Sequence, residues 1–327
     1  MTQLTADDAR HVSDLTSRIV DQVSHGLTGK DDVITTAFQV MLTGGHLLIE
    51  DVPGVGKTLL ATGLARACRL SFARIQFTAD LMPGDITGVR VYQPASGNWS
   101  FEAGPIFHEL VLADEINRSG PRTQSALLEA MEERRVSVDG TTYRTPQPFF
   151  VIATANPVEM DGTFQLPEAQ RDRFTARLSI GYLDEAAEAA MVAQRTSASF
   201  DQQAASSIAA VASPEDLLTA MACVRKVHVA ESLHSYAVRL ARTTRNPDLF
   251  RLGISPRGVI HLIVMAKAIA LTAGRTYVLP DDVQDAVHAT WHHRLTLSAA
   301  ASRAGDRVGD ILSTLISRTP APARADT

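Results

Sequence analysis

"LLIEDVPGVGKTLLATGLARA", residues 47–67, decides how this chain is read. An apolar run, Leu47 to Ile49, passes through a turn containing Pro53, Gly54 and Gly56 into a stretch with helical spacing. Strand, glycine turn and helix in that order can hold phosphate. Glycines admit positive φ, backbone N–H groups then approach an anion closely, and the helix dipole points at the same place. Lys57 is set to reach the β- and γ-phosphates of a nucleotide, and Thr58 to offer its hydroxyl to Mg²⁺. The expected cradle runs from Asp51 through Val52, Pro53, Gly54, Val55, Gly56, Lys57 and Thr58 to Leu59. One position departs from the usual G-x-x-x-x-G-K-[ST] pattern: the first glycine slot holds Asp51. That change lies at the loop entrance, away from the cradle.

Around this loop, short apolar strands alternate with helices. The strand candidates are "HLLIE" (46–50), "ARIQFT" (73–78), "LVLAD" (110–114), "FFVIATAN" (149–156) and "ARLSIGY" (176–182). Near-continuous apolar runs of this kind suit strands buried on both faces, hence a parallel sheet flanked by helices. Residues 4–42 read as helical before it, and from about 216 onward the pattern is again helical. The domains expected are an α/β nucleotide-binding core with N-terminal helices (1–183), a linker with a helix (184–215), a helical lid (216–318) and a disordered tail (319–327). "VRVY" and "WSF" flank the turn-forming "PASGN", and "RRVSVDGTTYRT" turns at Asp139-Gly140, so two hairpins are expected. The helix between them, "TQSALLEAMEERR", buries Leu127, Leu128 and Met131, and its glutamates read as a solvated face.

Hydrolysis needs more than a cradle: a carboxylate for the metal, a base for water and cations for the developing charge. Asp114 ends an apolar strand, where the carboxyl edge of a parallel sheet places ligand groups, and can support Mg²⁺. Glu115 beside it can polarise water. Asn156 closes the next strand and can orient that water, although an Asn before Pro157 also suits a plain turn. Arg171 and Arg173 in "LPEAQRDRF" and Arg257 in "GISPRG" supply planar, permanently charged forks suited to phosphate; a surface ion pair is the ordinary alternative.

The chain has 327 residues, 31 basic against 36 acidic, and a net charge of −5, so a large non-specific nucleic-acid surface is not expected. The two cysteines lack partners at metal-ligand spacing. No signal peptide or membrane-length apolar run is read, and a cytoplasmic location is the expectation. Adjacent His292 and His293 point about 100° apart on a helix, which favours a core-edge or cap role over a metal site.

"EDVPGVGKTLLA", "LADEINRSGPRTQSALLEAMEERRVSV", "ATANPVEMDGTFQLPEAQRDRF" and "GISPRG" together resemble the MoxR family of AAA+ ATPases. The likeness continues in "YAVRLARTTR" and "AIALTAGRTYVLPDDV" and spans roughly residues 10–300. It implies an AAA+ core, a parallel sheet flanked by helices with a phosphate loop, followed by an all-α lid. Aspartate at the position of Asp51 is common in the family. Lys57 and Thr58 match the Walker A pair, Asp114 and Glu115 the Walker B pair, Asn156 sensor 1 and Arg257 the sensor 2 arginine of the lid. Arg173 is the best match to the arginine finger that enters a neighbouring subunit's site, with Arg171 the alternative. Arg118 is a further candidate to face a neighbour.

The segment at 85–107 fits the family's helix-2 insert, and this hairpin and the second one at 134–145 would face a central pore and contact a client, or are plain edge hairpins. The resemblance further implies Mg-ATP bound between core and lid, a homo-oligomeric ring, expected to be a hexamer, and a partner with a von Willebrand factor A domain. The activity implied is chaperone-like remodelling of protein clients, for complex assembly or metalloenzyme maturation. The alternatives are a nucleic-acid motor, a chelatase-like subunit or a nucleotide-dependent switch with negligible turnover.

Overall fold

A computed structural model describes residues 3–156, 164–183, 185–196 and 208–322. Residues 157–163 of the quoted "ATANPVEMDGTF" motif, 197–207 of the expected linker and 323–327 of the expected tail fall outside the described residues. The chain opens with α1 (Ala6–Ser24), started by a reciprocal cap in which Thr5 Oγ1 accepts from the Asp8 N–H while Asp8 accepts from the Thr5 N–H. Its apolar stripe, Val12, Leu15, Ile19 and Val23, is buried against α2 (Asp31–Leu42) and α3 (Lys57–Ala67).

Five parallel strands form the core: β1 (Leu47–Glu50), β2 (Phe72–Gln76), β5 (Leu110–Asp114), β8 (Phe150–Ala155) and β9 (Ala176–Leu178), in the order β2-β5-β8-β1-β9. Side chains alternate between two buried clusters. Leu47, Ile49, Leu110, Leu112 and Ile152 join one with α1–α3, whereas Leu48, Val111, Ala113 and Val151 join the other with Leu127, Leu128 and Met131 of α5 (Pro121–Glu133). Between these strands come the short α4 (Pro83–Thr87) and two antiparallel hairpins, β3 (Gly88–Gln93) with β4 (Asn98–Ala103) and β6 (Arg135–Val138) with β7 (Thr141–Arg144). Phe101 of β4 stacks on Tyr143 of β7 at 3.9 Å, so the hairpins support each other. The expected turns appear, with Asp139 and Gly140 both at positive φ.

α6 (Glu168–Arg171) precedes β9, and α7 (Glu185–Thr196) follows it. The part of the chain expected to form the lid contains the helices Pro214–Lys226, Glu231–Thr243, Pro256–Thr272, Pro280–Trp291, Ala299–Ala304 and Val308–Arg318. It is not purely helical: Phe250–Leu252 pairs antiparallel with Thr296–Leu297. The seven-residue strand expected at 176–182 ends at Leu178, because Ser179 to Gly181 turn away to serve the phosphate loop. No helix among the described residues is long and apolar enough to cross a membrane.

Candidate nucleotide site

All five strands run the same way, so their carboxyl ends bring Asp51, Asp114, Glu115 and Asn156 to one sheet edge. In the loop after β1, Gly54 and Gly56 take φ of 86° and 100°. At Gly56 the φ of 100° requires glycine, while the nearest atom to an added Cβ, Leu27 Cδ1 at 2.6 Å, is the movable end of a side chain. Gly56 also caps α3, whose first turn carries Lys57, Thr58 and Leu59. Lys57 Nζ donates to the Asp51 carbonyl at 2.6 Å, bridging the loop's entrance and exit.

Asp51 is buried, and its carboxylate accepts from the N–H of Val52 (2.8 Å), the Ser179 hydroxyl (2.9 Å) and the N–H of Gly181 (2.7 Å). Burial pushes its pKa up, but the bonds from Gly181, Ser179, Val52 and Ile180 outweigh that and hold the carboxyl below the usual range. The residue that replaces the expected glycine therefore ties the phosphate loop to the segment leaving the core after β9. Lys30 holds the same segment, donating to the carbonyls of Ile180 (2.7 Å) and Tyr182 (2.8 Å).

Glu115 sits in the left-handed region at φ 57°, a conformation that a non-glycine residue keeps only when its surroundings enforce it. Thr154 of β8 enforces it by accepting from the Glu115 N–H at 2.8 Å while donating to Asp114 Oδ1 at 2.5 Å. From the neighbouring β2, Arg74 pairs with Asp114 Oδ2 (2.6 Å) and Gln76 donates to Glu115 Oε2 (2.8 Å). Arg118 lies 3.3 Å from the same carboxylate. Asn156 is buried just past β8, its carbonyl accepting from Asn117 Nδ2 at 3.4 Å. Thr58 at the start of α3 and Asp114 at the end of β5 each carry hard oxygen donors of the kind Mg²⁺ prefers.

The remaining arginines lie elsewhere. Arg173 Nε is 3.2 Å from Glu132 Oε2, and Arg257 pairs with the other oxygen of the same carboxylate. Glu132 is near the end of α5, where the capping residue Arg134, two positions on, donates to the carbonyls of Gly44 and Phe149, just before β1 and β8 begin. This is the amino edge of the sheet, about 13 Å of strand away from the phosphate loop. The glutamates of α5 are thus more than a solvated face. Arg257 and Arg173 come together, but neither lies beside the loop of its own chain. His293 is buried with Nε2 against the Phe174 carbonyl (3.1 Å), and Trp291 Nε1 donates to the Gly258 carbonyl at 2.9 Å.

The sequence profile described as "ATPase family associated with various cellular activities (AAA)" matches residues 46–176, and that of the AAA lid domain matches 242–315. Chaperone MoxR1 of Mycobacterium tuberculosis is 38% identical over 290 residues, covering 86% of this chain and 75% of that protein. The chain belongs to the MoxR family of AAA+ ATPases. The uncharacterized protein YeaC of Bacillus subtilis is 40% identical over 312 residues, 95% of this chain and 96% of that one. The crystal structure of a candidate ATPase from Cytophaga hutchinsonii superposes with a TM-score of 0.88 at 35% identity, covering 97% and 98% of the two chains. The AAA+ fold is therefore established, and membership of this family implies nucleotide binding. Sequence reasoning missed Arg74, Gln76, Thr154 and Glu132. The polar ends of the β2 and β8 runs were visible, but their adjacency to Asp114 and Glu115 follows only from the strand order.

Proposed function

We propose that this MoxR-family protein hydrolyses Mg-ATP and uses the turnover to remodel a protein client, as a ring in which one subunit completes the next subunit's site. The observation that carries the ring is the pairing of Arg173 and Arg257 on Glu132, at the sheet edge opposite the chain's own phosphate loop. A closed ring of like subunits joins two different surfaces of each chain head to tail, which lets one chain's amino edge meet the next chain's carboxyl edge. Both arginines then serve the neighbour's phosphates, and the lid contributes in trans rather than closing over its own nucleotide.

The roles follow from position. Asp51 to Leu59 bind and orient the phosphates, with Lys57 as the cation. Mg²⁺, held by Thr58 and Asp114, would neutralise phosphate charge when bound. Glu115 accepts the proton of the attacking water, and Asn156 orients that water. Remodelling is supported by the mutually braced hairpins, whose Tyr92 and Trp99 face each other at 5.5 Å and are exposed. Exposed aromatic pairs suit a protein contact. A von Willebrand factor A domain partner, a hexameric ring and a cytoplasmic location complete the proposal, on the strength of the family resemblance. The test is ATP binding and turnover of Arg173→Ala and Arg257→Ala. Both should bind ATP like wild type and lose at least about 1,000-fold in turnover, given an arginine finger's usual weight. Wild-type turnover in either variant removes that arginine from the site.

A further inference from the structure

The segment from Glu168 to Phe174 carries Arg173, and its two carboxylates, Glu168 and Asp172, are gripped by residues of the lid. Glu168 accepts from the Thr296 hydroxyl at 2.7 Å and pairs with Arg251. Asp172, next to Arg173, pairs with Arg294 Nε at 2.7 Å and accepts from the Ser255 hydroxyl at 3.2 Å. Arg294 is only 2% exposed. Beyond Asp172, its guanidinium donates to the carbonyls of Phe174, Thr175 and Thr290, so it is fixed on both sides of the core–lid junction. Its stem crosses Gly258, where a Cβ would lie 3.1 Å from Arg294 Cδ. Gly258 follows Arg257, and Ser255 caps the helix that bears it. One buried guanidinium therefore touches both arginine-bearing segments.

We propose that the Asp172–Arg294 clasp couples the lid to the finger: the lid's position sets where Arg173 stands, so the clasp controls hydrolysis in the neighbouring subunit rather than in its own. This rests on the ring reading above. Asp172 and Arg294 are positioning residues, since they act through Arg173 and touch no substrate. In a shared site a misplacement of about 1 Å costs about 100-fold in rate. Nucleotide affinity is untouched, because the chain's own phosphate loop lies at the opposite sheet edge.

The experiment mixes subunits. Asp172→Asn and Arg294→Lys proteins are each assayed alone for ATP binding and turnover, then mixed with Glu115→Gln subunits, which keep an intact finger but lack the base. Arg173→Ala mixed with Glu115→Gln is the reference. The clasp variants should bind ATP like wild type, turn over about 100-fold more slowly alone, and regain activity above the sum of the two components when mixed. A subunit that had merely lost its fold could not regain it. Wild-type turnover in the clasp variants overturns the proposal, as does failure of both to complement while Arg173→Ala does. If Arg173→Ala itself fails to complement, the trans reading is what falls.

Discussion

Replacing Asp51 with glycine would restore the usual phosphate-loop pattern, yet the structure predicts a weaker protein. The substitution removes three hydrogen bonds of 2.7–2.9 Å to a buried carboxylate. Bonds to charged groups contribute about 1.5–3 kcal/mol each, but they share one acceptor, do not add and are offset by the carboxylate's burial. Glycine adds a further cost in backbone entropy of about 0.5–1 kcal/mol. The net loss is about 2–4 kcal/mol, which for a chain of 327 residues lowers Tm by about 3–6 °C.

The pH dependence follows from the depressed pKa of Asp51. A carboxyl held below its unfolded value stabilises the fold fully above about pH 4, and that contribution disappears as pH falls through the folded value. Asp51→Asn should therefore melt below wild type at neutral pH, and the gap should close on acidification. Thermal unfolding of wild type, Asp51→Gly and Asp51→Asn across pH, with and without Mg-ATP, tests this. An Asp51→Gly protein that melts at or above wild type and binds ATP at least as well would refute the tether.

Glu115→Gln should bind ATP normally and lose between about 100- and 10,000-fold in turnover, read by steady-state hydrolysis. Arg74→Ala removes a half-exposed cation that competes for Asp114. The Mg²⁺ concentration for half-maximal hydrolysis should fall about two- to fivefold, the scale of an exposed ion pair. Gln76→Leu releases Glu115 from its 2.8 Å hydrogen bond and should raise basal turnover a few-fold without changing ATP affinity. Trp99→Ala should leave basal hydrolysis within about twofold while weakening capture of a client by the ATP-bound protein, since the hairpin lies outside the phosphate site.

The phosphate loop was legible because its chemistry is local: glycines, Lys57 and Thr58 lie within one strand–turn–helix, and periodicity located the strands. Asp114 and Glu115 were legible for the same reason, as polar residues ending an apolar run. What sequence left open depends on distance along the chain. Asp51 and Gly181 are 130 residues apart, and only the β1–β9 pairing turns a loop-entrance aspartate into a tether. Glu132 could not be separated from its neighbouring glutamates, because α5 spacing shows which face is apolar but not which arginine arrives on the other. Arg257 was read as a lid residue and is one. That it stands beside Arg173, away from its own nucleotide loop, is a consequence of how the lid packs on the amino edge of the sheet.

The most direct test of the trans-completed site is ATP turnover per subunit against protein concentration, with the mass of the assembly measured on the same samples. The account predicts turnover that rises with assembly in wild type and stays near zero at every concentration in Arg173→Ala, although that variant assembles and binds ATP. Turnover per subunit that is constant from monomer to assembly, with Arg173→Ala as active as wild type, would contradict it.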